Sequence, residues 1–66
     1  MPVAKVIEVM GEGSSIEDAV QNAVSGAGDS VRNIQNVWVQ DIKAIVGDGS
    51  IDRYRVNTKI TFVVGG

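Results

Sequence analysis

The 66-residue chain has no cysteine, no histidine and no leucine, a single proline, and only three aromatic residues: one Trp, one Tyr and one Phe. Without cysteine there is no disulfide, and without cysteine and histidine the common structural zinc sites are excluded. The same two absences remove the usual nucleophiles and general bases, and no hydroxyl lies beside a plausible base, so the chain reads as a non-enzyme. A net charge of −2 leaves too few clustered cations for an electrostatic grip on nucleic acid. No apolar run approaches a membrane span, and the opening MPVAKVIEVM carries no secretory pattern, so the expected location is the cytoplasm.

What is present is β-branched. Apolar residues make up 44% of the chain and are mostly Val and Ile, which suit a pleated surface. At this length a chain buries only about 60% of the surface its unfolded form exposes, so idealised packing or self-association has to supply stability.

Val3 to Met10 reads as a strand apolar on both faces, the pattern of a central, covered strand. GEGS is expected to end it, and Ser14-x-x-Glu17 has the form of a capping box at a helix start. Ile16, Ala19, Val20, Ala23, Val24, Ala27, Val31 and Ile34 follow at helical spacing. Two further strands are expected over Asn36 to Val46 and Ile51 to Val64, joined at Asp48-Gly49, a dipeptide that suits the positive φ values of a type I′ turn.

A tight turn pairs Ile42 with Arg55, Gln40 with Asn57 and Trp38 with Lys59, all on one face. Val37, Val39, Ile45, Tyr54, Val56, Ile60 and Phe62 then face the helix. Asp41 falls among these apolar residues, which hints at a bulge. One helix covers one face, so the face bearing Trp38, Ile42 and Ala44 is left open and implies a homo-oligomer. Arg53, Arg55 and Lys59 on or near it are expected to be a ladder of solvated charges or to form ion pairs between subunits with Glu8, Asp41 or Asp52, ahead of a phosphate site.

The β-α-β-β order, KVIEVMGEGSSIEDAVQNAV at the front and RYRVNTKITFVV at the end together resemble the dodecins over nearly the whole chain. The resemblance implies an α+β fold, a three-stranded antiparallel sheet wrapped around one helix, and a hollow homododecamer. Many members bind riboflavin or FMN for storage or sequestration, and some bacterial members bind coenzyme A. The flavin binders stack a Trp of the second strand on the ring and hydrogen-bond its edge with a Gln of the third. By ungapped alignment through VQDI, Asn36 stands at the Trp position and Arg55 at the Gln position, while Asp41 matches an Asp that some members use near the ligand's polar chain. Trp38 lies two residues beyond the family position. The cofactor-binding candidates are therefore Asn36, Trp38, Asp41 and Arg55, with no metal ligands among them. The expected function is a dodecin-like binding or storage protein whose flavin site is altered or lost. Two alternatives stand beside it: FMN, riboflavin or coenzyme A held by a rearranged site around Trp38 and Arg55, and a structural oligomer with no organic ligand.

Overall fold

The computed structural model describes residues 2–65. Its elements are β1 (Val3–Gly13), α1 (Ile16–Gly28), β2 (Ile34–Gly47) and β3 (Ser50–Val64). The β-α-β-β order and the antiparallel three-stranded sheet agree with the sequence reading. The strand order is β1-β3-β2, however, so β3 is central and β1 lies at an edge. The apolar outer face of β1 is therefore not covered within one chain, and Val6 and Met10 are exposed.

GEGS does not end β1. The strand runs on through Gly11 and Gly13 because the helix rests directly on these two residues: a Cβ at Gly11 would lie 2.2 Å from the Ala19 carbonyl oxygen, and one at Gly13 2.6 Å from the Ala19 nitrogen. Asn22 Nδ2 also donates to the Glu12 carbonyl oxygen at 2.7 Å. Small residues on both sides thus allow close helix–strand contact, and Ala19, Ala23 and Ala27 form the buried stripe of α1.

The cap lies one residue later than expected. Ser15, in an extended conformation, is the N-cap and accepts from the Asp18 N–H at 3.0 Å, while Ser14 Oγ donates to the Asp18 carboxylate at 2.8 Å. Glu17 and Asp18 in the first turn suit the positive end of the helix dipole. The helix stops at Gly28, so Val31 and Ile34 fall outside it. Asn33, at a φ of 61°, reverses the chain into β2.

Opposite α1 the core consists of Val56, Ile60 and Phe62, with Thr58 buried among them and donating to the Val9 carbonyl oxygen at 2.6 Å. These alternate along β3, so the helix-facing side holds Ile7, Val9, Gly11 and Gly13 of β1 and, across β3, Val37 and Val39 of β2. No helix among the described residues is long and apolar enough to cross a membrane.

The Asp48-Gly49 turn has the expected positive φ values, 52° and 79°, and Gly47 faces Ser50. The β2–β3 register then shifts three times, twice between the turn and Trp38 and once more between Ile34 and Asn36; the two shifts before Trp38 are bulges. One places Asp52 outside the ladder between the pairs Val46–Ile51 and Ile45–Arg53; the other does the same to Gln40 between Val39 and Asp41. Trp38 stays opposite Lys59, but Arg55 faces Lys43, Asn57 faces Asp41, and Ile42 faces Val56. Ile42 and Ala44 thus lie on the helix side and Ile45 on the outer side, the reverse of the expected assignment. Between the bulges every β2 side chain is turned over, because one inserted residue inverts a period-two pattern. The inversion resolves the awkward carboxylate: Asp41 leaves the apolar side.

Candidate functional site

The four candidate residues share the outer face of the sheet, in successive cross-strand rows. Asn36 is in the row Val6, Thr61, Asn36; Trp38 in Glu8, Lys59, Trp38; Asp41 in Met10, Asn57, Asp41; and Arg55 in Glu12, Arg55, Lys43. Rows on one face repeat every two residues, about 6.6 Å apart. The Gln40 bulge therefore sets Asp41 one row from Trp38, although three positions separate them in sequence. Arg55 lies two rows from Trp38, roughly 13 Å along the sheet. The structure thus brings Asn36, Trp38 and Asp41 together as neighbours and leaves Arg55 at the far end of the face. The cation opposite the indole is Lys59, on the central strand.

Trp38 is 64% exposed, and with Met10 and Val6 it supplies the exposed large apolar side chains of this face. An indole beside an ammonium group can accept a flat anionic ring or seal a contact with another chain.

The rest of the face is organised by Glu12. Its carboxylate accepts from Arg53 Nε at 2.8 Å and from Arg55 Nε at 2.6 Å, and Arg55 Nη2 lies 2.6 Å from the same oxygen. Arg53 Nη1 also bonds the Asp52 carboxylate at 2.6 Å. The hydrogen bonds from Arg53 and Arg55 hold the Glu12 carboxyl below its ordinary pKa, and those to Glu12 and Asp52 raise that of Arg53. Among the described residues, ion pairs form only within this cluster. Within the chain Asp52 pairs with Arg53, and Glu8 and Asp41 form no ion pair among the described residues. Glu12 was missed because the first strand was ended at Met10; its even parity with Glu8 and Met10 would have placed it on this face had the strand been carried through the glycines.

A shallow cleft of about 310 Å³ lies elsewhere, between the α1–β2 connection and the last residues of β3, lined by Ser30, Arg32, Asn33 and Phe62 among others. It includes none of the four candidates.

The family model described as Dodecin matches residues 3–65. No curated protein sequence matches the chain. Among solved structures, the tt0972 protein of Thermus thermophilus superposes with a TM-score of 0.92 at 24% identity, covering 100% of this chain and 98% of that one. The dodecin of Streptomyces davaonensis gives 0.91 at 20% identity, over 98% and 97% of the two chains. The dodecin of Streptomyces coelicolor gives 0.90 at 26% identity, over 98% and 94%. With the family's sequence pattern matched almost end to end, on a fold shared with these structures, the chain belongs to the dodecin family.

Proposed function

We propose that the protein is a small, non-catalytic binding and storage protein that works as a hollow homododecamer and in which the flavin platform of its relatives is altered. Family membership supports a flavin-binding or storage type of protein and an oligomer. The observation that carries the alteration is the pair of residues at the family's ring-binding positions. Asn36 lies opposite Thr61 and presents no ring to stack on. Arg55 offers donors where the flavin edge also needs an acceptor, and its guanidinium is held by Glu12. Titrating riboflavin and FMN into the purified protein tests this through flavin fluorescence. Weak quenching that does not saturate is the expected result, and saturable submicromolar quenching would overturn it.

The exposed indole of Trp38 opposite Lys59 favours one second reading, in which FMN or the adenine end of coenzyme A stacks there. A thermal melt with coenzyme A checks it: an unchanged midpoint at millimolar ligand counts against this reading. Where neither ligand acts, the protein is a structural oligomer.

A further inference from the structure

The cleft between the α1–β2 connection and the end of β3 belongs neither to the outer-face candidates nor to the Glu12 cluster. At about 310 Å³ it falls at the small end of small-molecule sites, which span roughly 300–1,000 Å³. Backbone hydrogen bonds build its wall. The Ser30 and Val31 N–H groups donate to the Ala27 carbonyl oxygen at 3.0 and 2.9 Å, which fastens the connection to the end of α1. The Val63 N–H donates to the Asn33 carbonyl oxygen at 3.2 Å and ties it to β3. Asn33, in the left-handed region, turns the chain between helix and strand. Residues 31–33 are thus held at both ends, although they form neither helix nor strand.

The lining divides by chemistry. Phe62, only 8% exposed, supplies an aromatic floor with Val31 and Val64 beside it, while Ser30, Arg32 and Asn33 supply polar groups. No carboxylate lines the cleft; Asp29, next to Ser30 in sequence, is the C-cap of α1 and is not part of the lining. A second cation stands near the first. Lys5 is the cross-strand partner of Phe62, so the two side chains leave the sheet on the same face, with Cβ atoms about 5 Å apart. Neither Arg32 nor Lys5 forms an ion pair among the described residues.

A ligand that fits this arrangement has two parts. A guanidinium, which only donates, and a hydroxyl match an anionic head, and the planar fork of Arg32 matches a carboxylate in particular. The Phe and Val surface matches an apolar body, which an inorganic ion lacks. A volume of about 310 Å³ suits a single ring or a short chain.

We propose that the cleft binds a small organic carboxylate, its head on the Arg32 guanidinium and the Ser30 hydroxyl with Lys5 at the rim, and its apolar body against Phe62, Val31 and Val64. Phe62 and Lys5 are on the helix side of the sheet, so this site is separate from Trp38 and does not depend on how the flavin platform is read.

Isothermal titration calorimetry on the assembled protein at low salt tests it. Benzoate is the probe, benzyl alcohol supplies the ring without the charge, and acetate supplies the charge without the ring. Benzoate should bind saturably, and the other two at least about tenfold more weakly. R32Q should weaken benzoate at least about tenfold, the loss of one charge-assisted pair, and K5Q should weaken it less. K43Q removes the same unit of charge from the outer face and should leave benzoate binding unchanged. Circular dichroism checks that the variants fold; the comparison among the three ligands is made on wild type and decides even where a variant does not. Benzoate that fails to saturate at millimolar concentration, benzyl alcohol or acetate that binds as well as benzoate, or R32Q that binds like wild type overturns the inference. An equal loss in R32Q and K43Q would mark a general effect of charge and overturns it too.

Discussion

Glu12 is one carboxylate facing two guanidinium groups, and this sets how the protein responds to acid. Its folded pKa is lowered from 4.5, chiefly by the hydrogen bonds from Arg53 and Arg55. Above that value both folded and unfolded chains are ionised here, and the pairing contributes in full. As pH falls from 4.5 through the lower folded value, the unfolded state takes up its proton first and the contribution is lost. Stability should therefore decline with acid over that range, and E12Q should decline less steeply there while being less stable than wild type at pH 7. Thermal melts from pH 7 to pH 3 measure both slopes, and parallel curves would show that the cluster is not responsible. Asn36 allows a gain-of-function test on the same face. One stacked ring contributes about 1–3 kcal/mol, so N36W should bind riboflavin roughly five- to 150-fold more tightly than wild type in a fluorescence titration. Unaltered affinity in an assembled N36W protein would mean that the family's stacking position does not carry over to this site.

At the scale of elements, the seat of α1 on β1 depends on two glycines. An Ala side chain at Gly11 would meet backbone, the Ala19 carbonyl oxygen at 2.2 Å, with no flexible group to give way. G11A should lift the helix and cost about 2–3 kcal/mol in urea unfolding. G26A is the contrasting case: nothing lies within 4 Å of a Cβ there, and Ala is the better helix former, so it should stabilise by up to about 1 kcal/mol. Equal effects from the two substitutions would contradict the close-contact argument. The same glycines explain where reading the sequence fell short. GEGS looked like a stop because glycine usually breaks a strand; here its lack of a side chain is what lets the strand continue beneath the helix. The Asp48-Gly49 turn was legible since two positive φ values demand such residues, and Trp38 was paired correctly because the two bulges cancel by the time the ladder reaches it. Between them, Ile42, Ala44 and Ile45 were assigned to the wrong faces. Asp41 among apolar neighbours was the one sign of a bulge, and it could not say at which residue. The shared face of Asn36, Trp38 and Arg55 was thus legible, whereas Asp41 was set on the helix side and the neighbourhood of each depended on register.

For the molecule as a whole, the size of the core decides what state is stable. The largest fully buried side chains are only Ile60, Val56 and Thr58, and the helix contributes three alanines, whereas nine large apolar residues among those described remain exposed. A domain this small has little stability to spare, the chain has no cysteine for a disulfide, and no cluster of three or more His, Asp or Glu side chains that could hold a metal lies among the described residues. Burial between copies is the remaining source, and it links folding to association. Twelve copies of the 7.0 kDa chain would scatter light as a particle of about 84 kDa, and its melting temperature should rise with protein concentration because dissociation and unfolding are coupled. Dilution should lower the midpoint by circular dichroism in step with the loss of mass by light scattering. A folded 7 kDa monomer with a midpoint independent of concentration would mean that the three-residue centre of this core suffices alone, and the case for assembly from the exposed face would fall with it.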